Sequence, residues 1–264
     1  MKPVRIQPEF IGRVWGSLAL EPWFPNRAEK IGEVWFTAPN NYPLLVKFLF
    51  TSERLSVQVH PDDDYAAANH NGSLGKTEMW HILDAKPGST IALGFTREIT
   101  RAELREASES GAIVDLLRWI PVHPGETYLT PAGTVHAIGA GIVLCEIQEN
   151  SDITYRLYDY NRKPARQLHL DHGEKVCCLS PHSAGSLESV TCRHFVTEKL
   201  EFANAREYAP EADELLIVLQ GSGTLAGESF KSGHVWFIQK GTAAFLINPE
   251  KAARFLRTHV PSRG

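Results

Sequence analysis

The sequence predicts a mainly β protein built as two β-barrels in one chain, the first carrying a small helical insertion. Three observations carry this. Most of the chain reads as short runs of alternating apolar and polar residues, punctuated by Gly and Pro. A single stretch, 100–119, breaks that alternation with a helical pattern. A twelve-residue frame occurs twice, once in each half.

The strand candidates are 55–60, 76–83, 88–93, 142–148 and 153–158. Thr100 followed by Glu103 forms a capping box, in which each side chain satisfies a backbone N–H that the helix start leaves open. It predicts a helix over 101–108, with a second over 113–119. Both sit between strands and read as a local decoration of the first barrel. The repeated frame runs Gly125, Pro131, Gly133, His136, with the spacing G-x5-P-x-G-x2-H. It returns as Gly233, Gln239, Gly241, Ala244. The two barrels therefore share one ancestry, and the second has lost the residue equivalent to His136. A Pro/Ser/Gly-rich stretch at 181–187 marks the boundary. The expected domains are 1–183, a metal-binding barrel with the insertion near 100–119, and 184–264, a degenerate barrel without metal ligands.

Composition narrows the function. The chain has 264 residues, 43% of them hydrophobic, and a formal charge of -4. It lacks the broad positive field that attracts nucleic-acid phosphates, so no nucleic-acid partner is expected. Its longest apolar runs, such as Leu215 to Leu219, are far too short to span a bilayer. The start, Met1-Lys2-Pro3-Val4-Arg5, has no apolar signal core behind it, and a cytoplasmic location is expected. Cys145, Cys177, Cys178 and Cys192 show no CxxC spacing and read as buried or idle thiols. A cluster of Cys177, Cys178, His182, Cys192 and His194 matches no zinc spacing.

The chemistry concentrates between 55 and 163. In the run 55–60, Leu55, Val57 and Val59 fall on one strand face, and Ser56, Gln58 and His60 on the other. Residues two apart on a strand point the same way, so Gln58 and His60 can reach one ion. Lys76 and Glu78 share a face by the same alternation, on a strand that follows a long polar loop, 61–75. His136 enters another strand just after a Pro-Ala-Gly turn. Gln58, His60, Glu78 and His136 together offer the nitrogen and oxygen donors that hold Zn²⁺. The same set accepts Fe²⁺, Mn²⁺ or Co²⁺. Glu78 supplies the only ligand charge, which preserves the Lewis acidity of the ion. Asp62, Asp63 and Asp64 lack EF-hand spacing and read as a solvated loop. His169 and His172 read as surface residues. No nucleophile elbow, dinucleotide fingerprint or P-loop occurs.

On these residues the chain resembles the type I mannose-6-phosphate isomerases, in their short bacterial form, within the cupin superfamily. The matching runs are Gln58-Val59-His60-Pro61-Asp62, Gly75-Lys76-Thr77-Glu78, Pro131-Ala132-Gly133-Thr134-Val135-His136, and 148–160 from Gln148 through Asp152, Tyr155, Arg156 and Tyr158 to Asp159 and Tyr160. The likeness extends over nearly the whole chain from Val14-Trp15-Gly16 onward. It implies two cupin-type jelly-roll barrels and one Zn²⁺ per chain on Gln58, His60, Glu78 and His136. It also implies a catalytic arginine at Arg156, and interconversion of mannose 6-phosphate and fructose 6-phosphate. The chain departs from the family in one place. Only 36–42 separates Gly32-Glu33-Val34-Trp35 from Pro43-Leu44-Leu45-Val46-Lys47, where family members often carry a longer segment that could help wall the pocket.

The residues alone favour proton transfer on a polar, anionic substrate. Asp152, Thr154, Arg156 and Tyr158 alternate onto one strand face, opposite Ile153, Tyr155 and Leu157. A guanidinium there suits a phosphate or an enediolate oxygen, since its fork makes two charge-assisted bonds. An ion pair of Arg156 with Glu146 or Asp152 is the structural alternative. Lys76, beside Glu78, could orient substrate or bind phosphate. Glu146 lies on the inward set Ile142, Leu144, Glu146, Gln148 and could shuttle a proton or simply hold Arg156. Arg162 and Lys163 add positive charge at the rim. The same barrel could also host an Fe²⁺ oxygenase or a non-catalytic sugar-binding module. Gln58 argues against the first, and the surviving ligand set against the second.

Overall fold

The structure is a computed structural model that describes residues 1–183 and 185–261. Ala184, where the second expected domain begins, lies outside the described residues, as do 262–264. Among the described residues the chain is mainly β and forms four sheets, none of them closed on itself. The closed barrels expected from the sequence are therefore open sheets in hydrogen-bonding terms.

Two compact units form. One comprises Val14–Gly16 and Leu49–Leu187; the other comprises Met1–Arg13, Ser17–Phe48 and Glu188–Gly264. This differs from a division at 183, which would leave 1–48 wholly with the first domain. The cause is long-range pairing. The strand Val4–Ile6 pairs antiparallel with Val235–Ile238. The buried Trp23 Nε1–H donates to Leu219 O at 2.9 Å, and Tyr42 Oη–H donates to Asp213 O at 2.7 Å.

In the 49–187 unit, one sheet orders its strands Tyr155–Tyr158, Val57–Val59, His136–Ile138, Thr90–Phe95 and Leu117–Pro121. A second group orders Ile142–Glu149, Glu78–Ala85 and Thr127–Thr130. Between the two lies an inner apolar cluster that includes Leu55, Trp80, Ile91, Leu93, Ile138 and Leu144. The opposite face of the first sheet packs a separate cluster: Val57, Val59, Val135, Ala137 and Leu157 against Leu104, Ala107 and Ile113. Leu55 thus departs from the face expected for it. It precedes the strand proper and joins the inner cluster, while Val57 and Val59 turn outward.

The helices cover that outer face and are more than decoration. The first runs Arg101–Ser110, capped as expected by Thr100 Oγ1, which accepts from Glu103 N at 3.1 Å. The second is shorter than expected, Ile113–Leu116, because Leu117–Pro121 pairs as a strand with Thr90–Phe95. Two further helices were not expected. Asp63–Asn69 forms where a polar loop was read; Asp62 is its cap, accepting from Tyr65 N at 2.9 Å. Leu170–Val176 follows His169. His169 and His172 are half-buried, which corrects the surface reading: His172 Nδ1 lies 2.9 Å from Tyr65 Oη, and its ring stacks on Tyr155 at 4.8 Å.

The other unit packs its own core around Phe202, Leu216, Val218, Phe230, Trp236 and Phe255. The repeated frame is visible in the backbone. Gly125, Gly133, Gly233 and Gly241 all take the left-handed conformation, with φ of 92°, 82°, 86° and 81°. Matching turns close through Thr134 N to Pro131 O and Thr242 N to Gln239 O, each at 3.1 Å. All four cysteines are free, and no described helix is long and apolar enough to cross a membrane.

Removing the cap of the first helix tests its contribution. Thr100→Ala should lower stability by about 1 kcal/mol, the usual loss of a side-chain cap. Urea unfolding should show the midpoint falling with the slope unchanged.

Candidate metal centre and active site

Strand register assembles the site. Arg156 lies directly opposite Gln58, and Gln58 opposite His136, on three adjacent strands. Cross-strand partners share a sheet face, so these three side chains form one row. Val57 and Val59 point to the helices, which leaves Gln58 on the inner side. On the facing strands Glu78 pairs with Gln148, and Trp80 with Glu146. Trp80 and Leu144 belong to the inner cluster, so this second patch also faces inward.

The two patches meet at Glu78. His136 Nε2 lies 3.4 Å from Glu78 Oε1, and His60 Nε2 lies 3.5 Å from Glu78 Oε2. The imidazole centroids are 4.8 Å apart, and all three residues are about 1% exposed. Each imidazole is held from behind. His60 Nδ1–H donates to Ile153 O at 2.8 Å, and His136 Nδ1–H donates to Thr134 O at 2.9 Å. A carbonyl can only accept, so both protons sit on Nδ1 and both Nε2 lone pairs turn toward Glu78. Burial pushes the His136 pKa down to about 4, with the charge of Lys76 adding to it against the bond to Thr134. At neutral pH this ring is an uncharged donor.

Lys76 is buried in the same cluster. Its ammonium bonds Glu78 Oε2, donates to His60 Nε2 at 3.0 Å, and lies 4.0 Å from Glu146 Oε1. Glu146 is also buried, and its Oε2 accepts from Trp80 Nε1 at 3.0 Å. Gln58 Nε2 lies 3.3 Å from His136 Nε2. Six of the seven expected site residues thus share one buried cluster: Gln58, His60, Lys76, Glu78, His136 and Glu146.

Arg156, the seventh, is aligned with it only through the strand row. It is half-buried, forms no ion pair with Glu146 or Asp152, and donates from Nη1 to Gln167 O at 2.8 Å. Its Nε is buried with no hydrogen-bond partner. Burial, with Arg166 and Arg162 nearby, pulls the guanidinium below its usual pKa against the opposing charge of Asp159. Tyr158 does not follow Arg156 to the inner face. The register shifts between Arg156 and Tyr158, and the Tyr158 ring packs with the helix-side cluster. Arg162, expected as a rim charge, is bound to Asp159 at 2.8 Å. Sequence reading missed Trp80, whose place two residues from Glu78 on one strand was the available signal. It also missed the carbonyls of Ile153 and Thr134, which carry no sequence signal.

His60, Glu78 and His136 offer three ligand atoms within 4.8 Å of one another, and Gln58 adjoins them. Two neutral imidazoles and one carboxylate are the donor set of a divalent zinc-type ion. No comparable group drawn from the other unit alone occurs among the described residues.

No family model matches the chain. Over 302 aligned positions it is 33% identical to the mannose-6-phosphate isomerase ManA of Bacillus subtilis (strain 168), covering 93% of this chain and 96% of that one. The chain belongs to the mannose-6-phosphate isomerase family. A crystal structure of the mannose 6-phosphate isomerase from Bacillus subtilis matches with a TM-score of 0.88 at 28% identity, over 98% of this chain and 100% of the other. A zinc-bound mannose 6-phosphate isomerase structure shares the fold at a TM-score of 0.73 and 15% identity, over 98% and 100% of the two chains.

Close packing behind Lys76 fixes it. A Cβ on Gly75 would stand 2.5 Å from the backbone carbon of Asp62 and 2.6 Å from Asp63 N. Gly75 N also bonds Asp63 Oδ1 at 2.9 Å, and Lys76 N bonds Pro61 O at 2.9 Å. Gly75→Ala should therefore destabilise by about 1–3 kcal/mol, the usual cost of overpacking. An unchanged thermal midpoint would contradict this contact.

Proposed function

We propose that this chain is a zinc-dependent mannose-6-phosphate isomerase that interconverts mannose 6-phosphate and fructose 6-phosphate through an enediol. The observation that carries the reading is the buried convergence of His60, Glu78 and His136, with Gln58 and Arg156 in register beside it. The family supports the substrate pair, since the relatives named above are mannose-6-phosphate isomerases. On this reading each unit is a cupin-type jelly roll, and only the unit containing 49–187 keeps its ligands. The four free cysteines support a cytoplasmic location.

His60, Glu78, His136 and Gln58, through its amide oxygen, would hold one zinc ion. That ion, when bound, supplies a Lewis acid that polarises the sugar oxygens. The chain's own groups do the rest. Isomerisation moves a proton between the first and second sugar carbons, and negative charge gathers on the neighbouring oxygens. Glu146 faces the Lys76 ammonium at 4.0 Å, so this pair can hold and pass a proton within the cluster. Arg156 sets a positive fork beside Gln58, where it can pair with the substrate's developing charge or its phosphate. Trp80, in edge contact with the His136 ring and bonded to Glu146, sets an apolar surface beside the cluster.

Purified protein should carry about one zinc ion per chain and turn over mannose 6-phosphate in a coupled assay. A chelator should abolish the activity and added zinc restore it. His60→Ala with His136→Ala should strip the ion. Folded, zinc-replete protein without isomerase activity would sink the proposal.

Arg156→Ala should lower turnover by roughly 10²–10³-fold, the usual loss of one electrostatic stabiliser. Zinc content should stay near wild type, because arginine donates no metal bond. Arg156→Lys should recover only part of the loss, keeping the charge without the fork. A fall in turnover at constant KM would point to the enediolate, and a rise in KM to phosphate. Near-normal activity of Arg156→Ala would remove arginine from the mechanism.

A further inference from the structure

Arg156 sits on an edge strand, and an edge strand leaves alternate backbone groups without a sheet partner. One side of Tyr155–Tyr158 is taken by Val57–Val59. Residues 167–169 close the other side at Arg156 alone. His169 N–H donates to Arg156 O at 2.8 Å, and Arg156 N–H donates to His169 Nδ1 at 3.1 Å. Arg156 Nη1 also donates to Gln167 O at 2.8 Å. Both backbone groups of the arginine and one end of its guanidinium are thus held by one three-residue segment.

The bond to Nδ1 dictates the state of the ring. An N–H needs a lone pair, so the His169 proton sits on Nε2 and the ring is neutral. Its surroundings agree: burial lowers the His169 pKa, and the charges of Arg156 and His172 lower it further. The segment is itself anchored. His169 begins the helix Leu170–Val176, with Gly173 N bonding its carbonyl at 2.9 Å. A Cβ on Gly173 would meet Leu157 Cδ2 at 2.3 Å, so the helix lies close against the strand that carries Arg156.

We propose that His169 is a positioning residue for the isomerase reaction, fixing the backbone of Arg156 opposite Gln58 and with it the placement of the guanidinium. The proposal rests on the role given to Arg156 above. The role needs an acceptor at the Nδ1 position, and it predicts that the kinetic loss on removing that acceptor depends on the presence of Arg156, which a mere tie between helix and sheet does not. Asparagine places its Oδ1 where histidine has Nδ1. Glutamine places its acceptor farther out, near Nε2.

The experiment measures steady-state kinetics on mannose 6-phosphate for zinc-replete His169→Ala, His169→Asn and His169→Gln, each also in the Arg156→Ala background. Thermal midpoints and zinc contents are recorded for every variant. His169→Ala should lose at least about tenfold in the same kinetic parameter that Arg156→Ala affects, since small misplacements of a charged group are costly. His169→Asn should stay within about threefold of wild type, and His169→Gln should be as poor as alanine. In the Arg156→Ala background, His169→Ala should change the rate by less than about twofold, because the residue it positions is gone. Wild-type kinetics in His169→Ala, rescue by Gln equal to that by Asn, or a full additive loss without Arg156 would each overturn the positioning role. Should His169→Ala fail to fold, the contrast between Asn and Gln decides. Wild-type activity in Arg156→Ala would instead overturn the role of the arginine, and this inference with it.

Discussion

The register of three short strands is the constraint on which the site depends. Arg156, Gln58 and His136 stand opposite one another. Side chains alternate across a sheet, so a slip of one residue in the Val57–Val59 strand would turn Gln58 outward and bring valines into the site. The strands are three or four residues long, and their hydrogen bonds alone specify little. The outer face fixes the register instead. Val57, Val59, Ala137 and Leu157 must meet Leu104, Ala107 and Ile113 to leave water. The inserted helices therefore hold this row of side chains in place from behind.

The facing strands bring the charge. A buried carboxylate is costly unless it is paired, and the two units meet that cost differently. Glu214, buried in the other unit, accepts from Arg257 Nε at 2.9 Å and from Tyr208 Oη at 2.5 Å. That is a closed pair with a fixed planar partner. Glu78 meets one flexible ammonium and two imidazole lone pairs. Lys76 offers Glu78 a compact point charge rather than the planar fork that Arg257 brings to Glu214. The carbonyls of Ile153 and Thr134 keep both imidazoles aimed at Glu78.

Much of this was legible in the sequence, because the signals were local. Period-two alternation found the strands and set Gln58 and Glu78 on their faces, while His60 and Lys76, read as strand residues, lie just outside them. Thr100 and Glu103 gave the helix start. The spacing of two glycine pairs gave the repeat. What escaped lacks a local signature. Asp62-Asp63-Asp64 looks like a solvated loop, yet Asp62 caps a helix and Asp63 binds Gly75 N; identical residues serve both uses. The pairing of Val4–Ile6 with Val235–Ile238 joins segments over two hundred positions apart, and no window of residues could reveal it. A bulge between Arg156 and Tyr158 reversed the face of one tyrosine that strict alternation had placed with the arginine. Open sheets in place of closed barrels follow from edge pairing, which depends on the whole fold.

The repeat also separates what the backbone supplies from what the ligands supply. The turn before His136 and the turn before Ala244 close through the same hydrogen bond at the same length. Gly133 and Gly241 have nearly the same φ. Ala244 offers no donor to any ion, so this geometry does not need a ligand to form. The Pro131–Thr134 turn accordingly forms from backbone hydrogen bonding, and Thr134 O then fixes the tautomer of His136. The frame thus stays intact whether the side chain at its end is His136 or Ala244.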